Sequence, residues 1–180
     1  MTSQVLLVRH GESVWNLEGR VQGQAPAPGL TDRGRAEAAA AALRLAAWRP
    51  TALWASDLRR AGETAEILGA HLGLVARAEP LLRERDWGDL QGRAGAEAWA
   101  LVDRVRGTGR PPGGESPTDL EERVRRVLTA AAEGTGPVVL VSHGEWISRA
   151  LMLVGLPAGK PANGDVLALP PVPSLRARRR

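Results

Sequence analysis

The sequence of 180 residues contains no cysteine, phenylalanine or tyrosine, and it contains a single lysine. The absence of cysteine excludes disulfide bonds, thiolate metal sites and cysteine nucleophiles. Long hydrophobic runs are also absent: the apolar stretch at residues 5–8 is followed at once by charge and is too short for a signal peptide or a membrane span. We therefore expect a cytoplasmic protein that has no membrane partner.

The rest of the composition is typical of a soluble globular domain, with 43% hydrophobic and 24% charged residues. The length predicts a single domain, which we assign to residues 1–170, followed by a Pro/Arg-rich carboxyl-terminal tail at residues 171–180. Four arginines in this tail account for the whole formal net charge of +4. Because the folded part is then neutral overall, we expect no nucleic-acid partner.

Strand-like and helix-like segments alternate along the chain. Short apolar runs predict strands over residues 5–8, 51–55, 138–141 and 165–169. Apolar residues spaced three and four apart predict helices over residues 31–48, 58–72, 94–105, 117–131 and 145–154. This alternation predicts an α/β fold, a three-layer sandwich in which helices flank a mostly parallel central sheet. Ligands of such a sheet bind beyond the carboxyl ends of its strands.

One pattern of residues occurs twice, each time directly after an apolar strand. Its two copies are Val8-Arg9-His10-Gly11-Glu12 and Val141-Ser142-His143-Gly144-Glu145. In a parallel sheet both histidines emerge at the same edge, where they can face each other. The glycine that follows each histidine removes a side chain that would keep a ligand away from the backbone.

A third predicted strand ends near Ala55 and leads into Arg59 and Arg60 at the start of a helix. An arginine in this position adds a planar, permanently charged donor to the positive end of the helix, and both suit phosphate or carboxylate oxygens. Three strand ends that converge in this way predict an anion-binding site with histidine inside it. His71 lies on the far part of the same helix, and we assign no role to it.

Two other interpretations of these segments are disfavoured. The histidines could bind a metal ion together with Glu12 and Glu145, but a cation at Arg9 would repel it, and no metal-binding spacing such as H-E-x-x-H is present. We therefore expect neither a metal nor a cofactor. The segment 155–161, which contains Lys160, has the composition of a phosphate loop, but its glycines are misplaced and it follows a helix instead of opening one.

Further residues extend the repeated pattern in a fixed order along the chain. They are Leu7 to Ser13, Trp15-Asn16, Arg20 to Gly23, Leu30-Thr31 with Gly34, Ser56 to Leu58 with Arg60-Ala61 and Thr64-Ala65, Leu82 to Glu84 with Gly88 and Gly92, Gly113 to Ser116, and Val141 to Gly144. Together these motifs resemble the histidine phosphatase superfamily, in its phosphoglycerate mutase-like branch, over residues 5–169.

The resemblance implies a role for each matching residue. The first histidine of the family attacks phosphorus and becomes phosphohistidine, which implies His10 as the nucleophile. Arg9, Arg60 and His143 match the positions that hold the phosphoryl oxygens. Glu84 matches the residue that protonates the leaving oxygen and later activates water. Contacts with the substrate are implied for Asn16, Gln22, Gly23 and Gly144.

The chemistry of these residue types agrees with the implied roles. An imidazole attacks only when it is neutral, and the cations at Arg9 and Arg60 disfavour its charged form. The same cations stabilise the charge on the transferred phosphoryl group. The residues after Gly88 depart from those that are common in the family, so Asp86 is kept as an alternative to Glu84 for the proton transfer.

The predicted function is hydrolysis of small phosphate monoesters by a phosphatase of the histidine acid phosphatase type. Only 20 residues separate Gly92 from Gly113, whereas phosphoglycerate mutases of the family carry a longer, basic segment there. The short segment favours water as the acceptor. A cofactor-dependent phosphoglycerate mutase and a non-catalytic phospho-ligand binder are kept as alternatives, and a homodimer is left open. Trp87 or Trp99 could stack on a ring or sugar of the substrate.

Overall fold

The computed structural model describes residues 3–107 and 109–172. Within them, the strands of one central sheet are β1 (Val5–Arg9), β2 (Ala52–Ala55), β3 (Ala76–Ala78), β4 (Val138–Ser142) and β5 (Val166–Ala168). Their spatial order is β3-β2-β4-β1-β5. The first four strands pair in parallel, whereas β5 runs antiparallel to β1. The predicted mostly parallel sheet is confirmed.

Helices connect the strands and cover both faces of the sheet. They are α1 (Val14–Leu17), α2 (Asp32–Ala46), α3 (Arg59–Leu72), α4 (Gly95–Arg106), α5 (Pro117–Ala132) and α6 (Gly144–Leu153), with short 3₁₀ helices at Pro80–Leu82 and Gly88–Leu90. The five predicted helices are confirmed to within two residues at each end. Neither α1 nor β3 was predicted: α1 is a single turn, too short to show a period, and β3 has the sequence Ala-Arg-Ala, which is not an apolar run.

The central strands supply two hydrophobic cores, because successive side chains of a strand point to opposite faces. Leu6 and Val8 pack with α2 and α3 on one face. Leu7 and Leu140 pack with α5 and α6 on the other face. The resulting arrangement of helices, sheet and helices is the predicted three-layer sandwich.

The carboxyl-terminal boundary of the packed domain lies beyond residue 170. Val172, which the sequence assigned to the tail, packs into the core beneath α5 and α6 and is 6% exposed. The tail from residue 173 onward lies outside the described residues. No helix of the described residues is both long enough and apolar enough to cross a membrane.

A third, smaller core lies beneath α4. Its buried members are Val21, Trp87, Leu90, Ala98 and Val102. We call α4 together with residues 84–94 the cap. Leu90 is one of the residues that depart from the common family pattern, and its side chain, which is 7% exposed, is accounted for by packing in this core.

Candidate active site

The two repeated motifs lie side by side in the structure. β1 and β4 are neighbouring parallel strands, and their register places Arg9 opposite Ser142. His10 and His143 therefore follow the strands at the same edge, and the centres of their rings are 5.0 Å apart with 57° between the ring planes. The predicted meeting of the two histidines is confirmed.

His10 is held in one orientation by a hydrogen bond within its own loop. Its Nδ1 lies 2.7 Å from the carbonyl oxygen of Gly11, which identifies Nδ1 as the protonated nitrogen because a carbonyl only accepts. Nε2 therefore keeps its lone pair. Burial lowers the pKa of His10 well below its ordinary value, and the positive charges of Arg60 and Arg9 lower it further. The ring is thus neutral and has a free nitrogen.

His143 is completely buried, and neither ring nitrogen has a hydrogen-bond partner among the described residues. Burial lowers the pKa of His143, followed in size by the charge of Arg60 and by the neighbouring His10. A buried polar group without a partner costs roughly 1–3 kcal/mol. An oxygen that entered the pocket beside His10 would provide the missing partner.

Two buried arginines stand next to the histidines. Arg60 is 1% exposed and donates to the carbonyl oxygens of Gly23 at 2.7 Å and Ala25 at 3.1 Å. Burial lowers the pKa of Arg60 to about 10. Arg9 is 9% exposed and donates to the carbonyl oxygen of Pro161 at 2.7 Å. In both side chains the buried Nε has no partner among the described residues, so each guanidinium keeps an N–H for a ligand.

Arg59 and Arg60 are neighbours in sequence but differ completely in environment. Arg59 is exposed and pairs with Glu63 on the surface of α3 at 2.7 Å. Arg60 is the second residue of the same helix, but it lines the pocket. The structure therefore agrees with the choice of Arg60 as the partner of the histidines.

Glu84 is anchored at the amino terminus of α6. Its carboxylate accepts hydrogen bonds from the backbone N–H groups of Arg85 at 2.9 Å, Glu145 at 3.1 Å and Trp146 at 3.1 Å. The partial positive charge of a helix amino terminus suits a carboxylate at this position. Asp86 instead accepts from the backbone N–H of Gly88 at 2.8 Å and is not among the residues that line the pocket. The placement of these side chains favours Glu84 over Asp86.

Arg9, His10, Arg60 and Glu84 line one pocket of about 210 Å³, and the buried ring of His143 lies next to that of His10. The pocket is lined by Arg9, His10, Trp15, Asn16, Gly19, Arg20, Gln22, Gly23, Arg60, Glu84, Trp87, Trp99, Glu145 and Lys160. It lies at the carboxyl edge of the sheet, beneath the cap, as the fold predicts.

Three of the four predicted substrate contacts line this pocket: Asn16, Gln22 and Gly23. The side-chain oxygen of Asn16 caps α1 by accepting from the backbone and hydroxyl of Ser13, at 3.1 and 3.0 Å. Its amide nitrogen has no partner among the described residues, so it is available to donate to a ligand. The side-chain oxygen of Gln22 lies 2.7 Å from the same hydroxyl, so Asn16 and Gln22 share the single hydroxyl proton of Ser13. The same serine therefore orients both amide side chains.

The two glycines that follow the histidines lie against other parts of the chain. A Cβ on Gly11 would overlap the carbonyl group of Gly34, so this glycine allows the first turn of α2 to pack against the His10 loop. A Cβ on Gly144 would lie 3.3 Å from Cε of Lys160, and Gly144 is outside the pocket lining. The substrate contact of Gly144 stays a prediction.

Sequence reasoning missed several residues of the pocket, of which Arg20, Glu145 and Lys160 carry charge. The interpretation of segment 155–161 as a phosphate loop was rejected because its glycines lack the required spacing. In the structure, Lys160 of this segment nevertheless lines the pocket. The signal was the residue itself, since it is the single lysine in a chain with 23 arginines. Glu145 pairs with Arg106 of the cap at 3.3 Å, and burial raises the pKa of Glu145, with Glu84 raising it further.

Of the residues of the metal-binding interpretation, Glu12 lies apart from the histidines. Glu12 accepts a hydrogen bond from the hydroxyl of Thr31 at 2.8 Å and does not line the pocket. Across residues 3–107 and 109–172, no three histidine or carboxylate side chains are grouped in a way that could hold a metal ion.

A neutral imidazole, a second buried imidazole and two guanidinium groups with free N–H donors define an α/β protein that binds a phosphoryl group at the strand ends. The family model of the histidine phosphatase superfamily (branch 1) matches residues 5–167. The chain belongs to this superfamily.

Its relatives include enzymes with two kinds of activity. Glucosyl-3-phosphoglycerate phosphatase of Mycobacterium tuberculosis (strain H37Rv) is 38% identical over 181 residues, which span 91% of this chain and 81% of that protein. A probable phosphoglycerate mutase of Cronobacter sakazakii is 40% identical over 167 residues, which span 86% of this chain and 76% of that protein.

Solved structures show the same similarity. The mycobacterial glucosyl-3-phosphoglycerate phosphatase in complex with VO3 has a TM-score of 0.81 and 36% identity, and the match covers 92% of both chains. A phosphoglycerate mutase from Thermus thermophilus has a TM-score of 0.73 and 34% identity, covering 92% of this chain and 91% of that one. Relatives of both kinds are enzymes that act on phosphate esters, as the site geometry indicates.

Proposed function

We propose that the protein is a phosphomonoesterase of the histidine acid phosphatase type, which hydrolyses small phosphate monoesters through a phosphohistidine at His10. The observation that carries the proposal is the state of His10. It is neutral, its Nδ1–H is bonded to Gly11, and its Nε2 lone pair is free beside two guanidinium groups. That combination is the requirement for nucleophilic attack on phosphorus.

In the first step Nε2 of His10 attacks phosphorus, and the bond from phosphorus to the ester oxygen breaks. The leaving oxygen takes a proton from the carboxyl group of Glu84. Free N–H groups of Arg9 and Arg60, with a ring nitrogen of His143, stabilise the negative charge on the equatorial oxygens. The products of this step are an alcohol and phosphohistidine.

In the second step water attacks the phosphohistidine while the Glu84 carboxylate accepts a proton from it. The N–P bond breaks, inorganic phosphate leaves, and His10 and Glu84 return to their starting forms. Positive charge at Arg9 and Arg60 performs the electrostatic role that a divalent cation has in other phosphatases, so we expect activity in the presence of a chelator.

Mutase activity is the second candidate, supported by the 40% identity to a probable phosphoglycerate mutase. The cap, however, is built on the single helix α4, and the pocket of about 210 Å³ suits one small ester. We therefore propose water, and not a second substrate molecule, as the acceptor of the phosphoryl group.

A screen of phosphate monoesters for released inorganic phosphate tests the proposal. Interconversion of 2- and 3-phosphoglycerate that requires a bisphosphate primer would favour the mutase instead. Rapid quenching in alkaline denaturant, followed by mass spectrometry, should find phosphate on the peptide that contains His10. His10→Ala should lower kcat by about 10³-fold or more, and His71→Gln, on the exposed end of α3, is the matched control. Wild-type turnover in His10→Ala would exclude covalent catalysis at this residue.

A further inference from the structure

The motif Gly113-Gly114-Glu115-Ser116 is one of the ordered motifs of the sequence, but none of its residues lines the pocket. Glu115 instead faces Arg123 of α5, and the two side chains are largely buried, with exposed fractions of 18% and 15%. The ion pair is bidentate: Nε of Arg123 donates to one carboxylate oxygen at 2.7 Å, and an Nη donates to the other at 2.8 Å. The other contacts of this pair show what it holds.

Arg123 uses all of its N–H groups within the protein. Two of them bind the Glu115 carboxylate. The other three donate to the backbone carbonyl oxygens of Leu81 at 2.8 Å, Arg83 at 3.0 Å and Glu84 at 3.2 Å. A guanidinium group has five N–H donors, so none is left for a ligand. Because Arg123 is also outside the pocket lining, it can act on the reaction only through the segment that it binds.

Glu115 holds the same segment from the other side of Glu84. Its carboxylate accepts from the backbone N–H of Asp86 at 3.0 Å, and its own backbone N–H donates to the carbonyl oxygen of Asp86 at 2.9 Å. The close approach requires a glycine before Glu115, because a Cβ on Gly114 would lie 2.6 Å from the carbonyl oxygen of Asp86. The ion pair of Arg123 and Glu115 thus fixes the main chain before and after Glu84.

Glu84 needs this support because it lies on a loop. Its backbone belongs to the segment between the short 3₁₀ helices Pro80–Leu82 and Gly88–Leu90. Among the described residues, Gln24 and Arg123 are the side chains bonded to its carbonyl oxygen. Gln24 is itself on a loop, whereas Arg123 is on a helix of 16 residues that packs against the sheet. A misplacement of about 1 Å in a reacting group can cost about 10²-fold in rate, so a fixed position matters for proton transfer.

We propose that Arg123, held in place by Glu115, is a positioning residue for the proton transfer by Glu84, an inference that rests on the proposed function. The ion pair fixes the backbone of Glu84 relative to α5, so that the carboxylate stays at the amino terminus of α6 and within reach of the leaving oxygen. Arg123 neither touches the substrate nor transfers a proton. Its loss should therefore slow protonation of the leaving group and spare the attack by His10.

Two esters that differ in their need for a proton test the proposal. Glycerol 3-phosphate has an alkoxide leaving group that must be protonated, whereas the leaving group of p-nitrophenyl phosphate needs no proton. Arg123→Lys keeps the charge and loses the planar fork. We expect it to lower kcat for glycerol 3-phosphate by about tenfold and to leave that for p-nitrophenyl phosphate within about twofold. Arg125→Lys, on the same helix and paired with Glu121 at 2.6 Å, is the matched control.

A double variant separates positioning from a general effect on the fold. In the Glu84→Gln background, Arg123→Lys should cause no further loss on glycerol 3-phosphate, because the group that it positions can no longer transfer a proton. Glu115→Gln should give the same selective loss as Arg123→Lys, and it replaces that variant if the latter does not fold. Equal losses on the two esters, no loss on either, or a full further loss in the double variant would overturn the proposal.

A measurement without turnover distinguishes failure of this inference from failure of the proposed function. The amide NMR signals of Glu145 and Trp146 report the hydrogen bonds that these groups donate to Glu84. They should shift in Arg123→Lys, as in Glu84→Gln, and stay in place in Arg125→Lys. If the wild type releases phosphate from neither ester, the proposed function fails, and these signals still decide whether Arg123 positions Glu84. Unchanged signals in Arg123→Lys would overturn the inference even in an active phosphatase.

Discussion

The inner and outer halves of the pocket are built in different ways. The inner half comprises Arg9 at the end of β1, His10 directly after it, the adjoining His143 directly after β4, and Arg60 on α3, the helix that follows β2; all are at most 9% exposed. The outer half comprises Trp99, Arg20 and Lys160, which lie on the cap and on loops. Strand register fixes the inner groups relative to one another, so the chemistry is placed on the rigid part of the fold. Loops determine the outer half, where a change of residue alters the substrate without disturbing the sheet.

The largest effect should come from removing an inner cation. Arg60→Ala should lower kcat/KM for any phosphate monoester by about 10³-fold, because a donor to the charged oxygens is lost from a buried position. Arg59→Ala, one residue away and exposed, should change it by less than about twofold. Steady-state kinetics on both variants, with circular dichroism as a check of folding, gives the comparison. Similar losses in the two variants would contradict the division into halves.

The next effect distinguishes the carboxyl groups near the pocket. Glu84→Gln cannot transfer a proton, so hydrolysis of an alkyl phosphate should fall by about 10²-fold or more. With p-nitrophenyl phosphate, whose leaving group needs no proton, the loss should be several-fold smaller. Asp86→Asn is the matched variant and should affect both esters alike, since Asp86 supports the turn at Gly88. If only Asp86→Asn lost more activity on the alkyl phosphate than on p-nitrophenyl phosphate, the proton donor would be Asp86 and not Glu84.

The contrast between the halves also shows what the sequence could predict. The apolar runs that end in Arg9-His10 and Ser142-His143 correctly predicted that the two histidines meet, because parallel strands bring their carboxyl ends to one edge of the sheet. Lys160 was missed, because its position depends on the course of the loop after α6, which has no period. The packing of Gly11 was also missed, since its close neighbour Gly34 is distant in sequence. The ends of strands can be predicted from local sequence patterns, but contacts between loops can be identified only in the folded structure.

Burial of the inner histidines predicts that stability depends on pH. The pKa values of His10 and His143 are lowered in the folded protein, so below about pH 6.5 the unfolded chain binds protons that the folded chain does not. Stability is therefore fully present above this pH and is lost as the pH falls, by up to about 1.4 kcal/mol per pH unit for each histidine. Glu145, with a raised pKa, opposes this trend and reduces the slope.

Urea denaturation between pH 7 and pH 5 measures the slope. His143→Gln should reduce the loss of stability over this range, and His71→Gln is the matched control at an exposed position. A free energy of unfolding that stays constant or rises from pH 7 to pH 5 would contradict the conclusion that both histidines are buried in the neutral form.

The smallest effect should come from the outer half, where the side chain of Trp99 makes one of several hydrogen bonds between the cap and the pocket wall. Nε1 of Trp99 donates to the carbonyl oxygen of Gly19 at 2.9 Å, and the ring supports Lys160. Trp99→Phe keeps an aromatic face and removes the donor, so it should cost about 1 kcal/mol of binding, seen as a rise of about fivefold in KM. Because the inner half is untouched, kcat should stay within about twofold. A fall in kcat larger than the rise in KM would mean that the cap also positions the reacting groups, and the separation of chemistry from selectivity would then be wrong.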